Sequence, residues 1–168
     1  MTTVVLVGNS KEPFKRLLDA VAQIASDLPQ PVVVQYGNTP FGNPACQCHA
    51  FFDRDTLSSL IESSRVVICH AGAGCVIDAL RAGRIPVVMP RRRAFGEVID
   101  DHQSEFAAVL LEAQKAIVVH DAIDLQDGVS KALTINKRSN STRAEPPLVM
   151  LVRDVLRAIS LEVEAKRP

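Results

Sequence analysis

The sequence predicts an α/β domain built on a mostly parallel sheet. Short β-branched runs alternate with helical stretches along the chain, at lengths that suit parallel strands joined by helical crossovers. The first of these runs, residues 4–7, is apolar at every position, as expected of a strand buried on both faces.

Gly8-Asn9-Ser10 breaks that run. Ser10 is the expected helix cap, with Pro13 in the first turn, where its missing N–H is not needed. Phe14, Leu17, Leu18, Val21, Ile24 and Ala25 then recur at helical spacing. A second run, residues 31–36, stops at Gly37-Asn38-Thr39-Pro40, a dense turn signal. A third strand is expected around residues 49–52, and a helix over 56–63 with Leu57, Leu60 and Ile61 on one side.

Residues 65–69 form the fourth expected strand, leading into His70-Ala71-Gly72-Ala73-Gly74. The next helix carries Val76, Ile77 and Leu80 and ends at Gly83. Residues 85–89 are a fifth strand, stopped by Pro90 and Arg91-Arg92-Arg93. A helix over 101–112, a strand at 116–119 and a helix over roughly 123–133 complete the alternation. A Rossmann-like domain over residues 1–135 is the expectation. The polar stretch 136–146 reads as a linker or loop, and 147–168 as an amphipathic helix with a wide apolar stripe.

Composition narrows the function. The 168 residues suit one domain, which buries roughly 70% of its unfolded surface. An apolar fraction of 47% with balanced charge excludes disorder, and no apolar stretch approaches the roughly 20 residues of a membrane span. Nineteen basic against nineteen acidic residues leave no net field for nucleic acid, and the low aromatic content offers little for base stacking. Met1 leads straight into a strand-like run, so no secretory signal is expected and the four cysteines should stay reduced. Cys46, Cys48 and His49 suggest half a metal site. No second Cys/His pair follows at zinc spacing, so free thiols and no metal are expected.

Loops leaving parallel strands emerge at one edge of the sheet, where ligands bind. That edge gathers four unusual segments: Gly8-Asn9-Ser10, Gly37-Asn38-Thr39, residues 70–74 and residues 90–103. Glycines between a strand and a helix let backbone approach a ligand, and the helix-opening N–H groups attract phosphate. His70 would add a hydrogen bond or a charge. A tight turn with a rim histidine is the other reading of the same loop. A Walker A loop is absent, and Gly72-x-Gly74-x-x-Ile77 departs from the dinucleotide fingerprint, so NAD is not expected.

The string VVICHAGAGCVIDALRAGRIPVVMPRRRAFGEVIDDHQSEFA, residues 66–107, resembles the C-terminal donor-binding half of family 28 glycosyltransferases. It looks most like the small exopolysaccharide subunits of the PssE/EpsF type and the catalytic subunit of the dolichol-linked N-acetylglucosamine transferase. VVLVGNSKEPFKRL, residues 4–17, and Gln35-Tyr36-Gly37-Asn38 resemble the same subunits.

The resemblance implies the C-terminal half of a GT-B enzyme, with UDP-sugar as donor and no cofactor or metal. His70, Gly72, Gly74 and Cys75 would line the diphosphate, bordered by Gly8 and Ser10, and Asp78 would take the ribose hydroxyls. Phe52 would pack by its backbone against uracil, and Asp101, His102 and Gln103 would contact the sugar. It further implies inverting transfer to a polyprenyl-diphosphate-linked acceptor presented by a membrane-associated partner of the PssD type. This chain would then be cytoplasmic and peripheral to the membrane. The apolar stripe of the closing helix 147–168 is wider than one packing face needs, so the helix is expected to bind that partner; folding back onto the sheet is the other reading of its periodicity. The partner is expected to supply the general base; Glu97 and Asp100 are the fallback bases. Arg91, Arg92 and Arg93 hint at an anionic sugar or the lipid diphosphate. Two departures stand out: Cys75 where relatives commonly carry Ser or Thr, and Val98 where they often carry His. A non-catalytic UDP-sugar-binding or regulatory module is the alternative.

Overall fold

A computed structural model describes residues 2–139. The expected closing helix, 147–168, and most of the expected linker lie outside the described residues.

The strands are β1 (Thr2–Leu6), β2 (Val32–Gln35), β3 (Cys46–His49), β4 (Ser64–Cys69), β5 (Val87–Val88) and β6 (Ile117–Val118). They form one sheet in the order β3-β2-β1-β4-β5-β6, and every neighbouring pair is parallel. The helices are α1 (Lys15–Ile24), α2 (Arg54–Ser63), α3 (Ala73–Arg81), α4 (His102–Glu112) and α5 (Leu125–Ser139).

The central position of β1 follows from its sequence. Val4, Val5 and Leu6 have no exposed surface, and alternate side chains enter opposite cores. Val5 joins Val34 and Ile68 with Phe14, Leu17, Leu18 and Val21 of the α1 segment and Leu125, Val129 and Ala132 of α5. Val4 and Leu6 join Val67 and Cys69 with Ile61, Val76, Ala79, Leu80, Phe106 and Leu110 from α2, α3 and α4. Each of these large side chains contributes roughly 1.5–3 kcal/mol on burial. The result is three layers, with the strand order reversing direction between β1 and β4. At that reversal the loops after β1 and β4 part to opposite faces and leave a crevice.

Four boundaries differ from the sequence expectation. Ser10 does not cap α1, which starts at Lys15; its hydroxyl donates to the Glu12 carboxylate. The first turn is satisfied from a distance instead, by the Thr39 hydroxyl oxygen accepting from Phe14 N at 2.8 Å. β3 lies at Cys46–His49, before the expected 49–52, because the Phe51–Phe52 segment has already left the sheet edge. Asp53, unremarked in the sequence, caps α2 by accepting from Thr56 N at 2.8 Å. Finally α5 continues through Ser139, so the stretch expected to begin a linker is still helix. Asn136 explains the extension: it is buried and its amide accepts from Ile85 N at 2.8 Å and donates to Arg65 O at 3.2 Å.

Candidate functional site

The loops after β1, β2, β4 and β5 lie on one rim and are bonded to each other there. The β2 loop holds the β1 loop. Gln35 Nε2 donates to Gly8 O at 3.2 Å, and Asn38 Nδ2 donates to Ser10 O at 2.8 Å. Gly37, at φ +58°, passes so near that a Cβ there would stand 2.6 Å from Gly8 O. These contacts bring two of the expected phosphate-facing residues, Gly8 and Ser10, into a fixed loop.

The β4 loop meets it through His70. The imidazole lies between two glycines: a Cβ on Gly8 would stand 2.6 Å from its Cε1, and one on Gly72 would stand 2.1 Å from its Nε2. Gly8 also has φ +79°, a left-handed conformation that favours glycine. His70 Nδ1 is 3.4 Å from Leu6 O, an acceptor that suits the tautomer with the proton on Nδ1. Burial, helped by the nearby Arg91 charge, pulls the His70 pKa down to about 4. His70 therefore carries no charge at neutral pH, which removes one of the two roles the sequence left open to it. It fills the crevice and spaces the two glycine loops.

Gly72 caps α3 in an extended conformation, and no side chain caps the first N–H groups of that helix. Gly74 has open space around its α-carbon. Cys75 is half-buried, and burial together with the Asp78 charge raises its thiol pKa to about 11, so it is a neutral, weak donor. Asp78 is half-buried one turn further on, with Arg81 Nη1 3.9 Å away.

The β5 loop closes the rim. Gln103 Oε1 accepts from Arg91 N at 3.1 Å, which ties the opening of α4 to the end of β5. Asp101 precedes α4 but does not cap it with its side chain; Oδ1 accepts from Arg93 N at 3.2 Å. Exposed Asp100 pairs with His102, Oδ2 to Nδ1 at 2.9 Å. Phe52 stands apart from these residues, beyond β3, with its ring 4.9 Å from that of His49.

A family model described as the glycosyltransferase family 28 C-terminal domain matches residues 2–149. The chain belongs to this family. Over 83 residues it is 35% identical to the UDP-N-acetylglucosamine transferase subunit ALG13 of Yarrowia lipolytica, a match covering 49% of this chain and 39% of that protein. The glycosyltransferase of kitacinnamycin has the same fold (TM-score 0.65, 18% identity), with 99% of this chain and 43% of the other covered. MurG of Acinetobacter baumannii shares it too (TM-score 0.55, 18% identity), with 94% and 49% covered. The chain thus spans less than half the length of each of these proteins.

Within this family 28 domain two sequence expectations change. Glu97 is not placed as a base. It is buried, and Arg16 holds its carboxylate through Nε at 3.0 Å and Nη2 at 2.8 Å while Arg92 N donates to Oε2 at 2.9 Å. The three arginines, grouped in the sequence as a hint of an anionic sugar or the lipid diphosphate, do not share one environment: Arg91 is 1% exposed, Arg92 is half-buried and Arg93 is exposed. Sequence reading missed Arg16 altogether. It joins the β5 and β6 loops by donating to Pro90 O at 2.8 Å and His120 O at 2.7 Å, and its position on a helix face gave no sign of that. Among the described residues, no group of three or more His, Cys, Asp or Glu side chains could hold a metal ion. No described helix is long and apolar enough to cross a membrane.

Proposed function

We propose that this chain is the donor-binding subunit of a UDP-sugar-dependent, inverting glycosyltransferase that works with a second, acceptor-binding chain. One observation carries the reading: in a family 28 C-terminal domain, two glycine loops meet across His70 at the point where the strand order reverses. Close backbone and a helix N-terminus without a side-chain cap suit a diphosphate. In this reading Gly8, Ser10 and residues 72–75 line the diphosphate. Asp78 accepts from the ribose hydroxyls, the backbone near Phe52 borders the uracil, and Asp101, His102 and Gln103 face the sugar.

The leaving UDP gathers negative charge as the anomeric bond breaks, and N–H groups fixed in advance stabilise that charge at little reorganisation cost. A base must take the acceptor hydroxyl proton. With Glu97 held by Arg16, the base is assigned to the partner, with Asp100 the fallback on this chain. The name of the Yarrowia relative, a transferase subunit, supports the two-chain arrangement. A PssD-like membrane-associated partner, a polyprenyl-diphosphate-linked acceptor and a role in exopolysaccharide synthesis complete the proposal.

The test is co-purification with an acceptor-binding chain of the PssD type and assay of a panel of UDP-sugars on a lipid-linked acceptor. Transfer only by the pair is the expected result. UDP binding without transfer by any pairing would favour a non-catalytic UDP-sugar-binding module, and transfer by this chain alone would end the two-chain reading.

A further inference from the structure

One positive charge of the rim, Arg91, lies beneath its surface. Arg91 Nη1 donates to Glu12 O and Glu97 O, each at 2.9 Å, and Nη2 donates to Val7 O at 2.9 Å. Its guanidinium carbon is 4.6 Å from the centroid of the Phe14 ring. Val7 and Glu12 bracket the β1 loop that carries Gly8 and Ser10, whereas Glu97 belongs to the β5 loop, so one side chain spans both. Only a planar fork of donors can serve three carbonyls on two loops in this way.

Those partners are all neutral. No carboxylate is hydrogen-bonded to Arg91, since the Glu97 carboxylate is taken by Arg16 and Arg92 N, and Arg91 Nε is buried with no partner. Burial opposes its charged form more strongly than the Glu97 and Glu12 charges, neither carboxylate hydrogen-bonded to it, favour that form, and an anion bound nearby would offset the remaining cost.

We infer that Arg91 is a positioning residue of the donor site: it fixes the Gly8–Ser10 loop from below and offers a buried positive charge to the phosphates held at the rim. The inference rests on the UDP-sugar reading. Its field already reaches the crevice, because the Arg91 charge is among the causes that depress the His70 pKa. A buried charge acts through low dielectric and is little screened by salt, unlike that of exposed Arg93.

The experiment compares Arg91→Gln and Arg91→Lys in the full chain, using UDP and uridine as probes. R91Q should weaken UDP by about tenfold while uridine changes by less than about threefold. R91K, which keeps the charge but not the fork, should recover most of the preference for UDP over uridine. Equal weakening of both probes in R91Q, or none, would overturn the inference. A second readout needs no ligand: the NMR titration of the His70 ring should move upward in R91Q, and an unmoved titration would overturn it as well. A wild-type chain that binds neither probe would remove the nucleotide reading, with the His70 titration still deciding whether Arg91 charges the rim. Should R91Q not fold, the salt dependence of wild-type UDP binding decides. A loss under about threefold between roughly 0.05 and 0.5 M salt supports the buried charge, and a steep loss overturns it.

Discussion

A Cβ on Gly72 would stand 2.1 Å from His70 Nε2. Gly72 has an ordinary extended backbone, φ −83° and ψ 125°, so the imidazole and not the conformation demands glycine there. Gly72→Ala should therefore destabilise the fold by about 1–3 kcal/mol, the usual range for overpacking. Adding His70→Ala should return most of that loss, because the two changes share one contact. Gly8→Ala should respond differently. Its φ of +79° leaves roughly 1–2 kcal/mol of strain after the ring is gone, so His70→Ala rescues it only in part. Urea unfolding of the single and double variants checks both; equal rescue at the two positions would contradict the assignment.

His70 also sets a pH dependence. Its folded pKa, about 4, lies below the 6.5 of the free side chain. The unfolded chain thus binds the extra proton between those values, and stability rises with pH across that window. Acidification from pH 6.5 towards 4 should cost up to about 3 kcal/mol, and His70→Gln should flatten that part of the profile. Glu12 and Asp53, both lowered by side-chain or backbone hydrogen bonds, act in the same direction at lower pH, below their ordinary values of 4.5 and 3.8. Chemical unfolding at a series of pH values would expose the His70 contribution. A His70→Gln profile parallel to the wild type between pH 4 and 6.5 would remove it.

The sheet was legible because burial on both faces leaves a local trace: the inner strands carry apolar runs, at residues 4–7, 32–34 and 66–69, whereas β3 at the edge alternates and lies earlier than expected. The rim was legible as a place, since Gly, Asn and Pro clusters mark where strands end. Long-range hydrogen bonds left no such trace. Thr39 reaches Phe14 across 25 residues, and Arg16 reaches Glu97 across 81, so neither the true start of α1 nor the structural use of Glu97 could be read locally. Asn136 made a polar stretch look like a linker, although its amide bonds two strand ends from inside a helix. The arginine triplet misled for the same reason. Sequence shows three charges, and only the packing of Phe14 and three carbonyls tells which one is buried.

The Arg16–Glu97 pair should be asymmetric under mutation. Arg16→Ala strands a carboxylate that is 5% exposed with one backbone donor left, and should destabilise by about 3 kcal/mol. Glu97→Gln keeps the shape and an acceptor, and Arg16 retains Pro90 O and His120 O, so about 1–2 kcal/mol is expected. Denaturant midpoints at constant slope would show the difference. If Glu97 served instead as a base, Glu97→Gln would abolish transfer by the assembled enzyme while leaving stability nearly intact.

Asp78 gives the sharpest test of how the nucleotide lies. It is half-buried on the first turns of α3, beyond the helix opening at Gly72, where a carboxylate can accept from two neighbouring hydroxyls. Its one charged partner, Arg81, is 3.9 Å away on a largely exposed side chain, and such pairs contribute only about 0.3–0.5 kcal/mol. Asp78→Ala should therefore leave the melting temperature almost unchanged. UDP binding should fall by about 1–3 kcal/mol, because the ribose hydroxyls would lose their acceptor in a partly closed site. The specific signature is in the sugar of the nucleotide. Wild type should prefer UDP over 2′-deoxy-UDP, whereas Asp78→Ala should bind the two alike. Calorimetry with both ligands measures this directly. A variant that loses affinity yet keeps the ribose preference would place Asp78 beside the phosphates, acting through charge on Cys75 and the opening of α3.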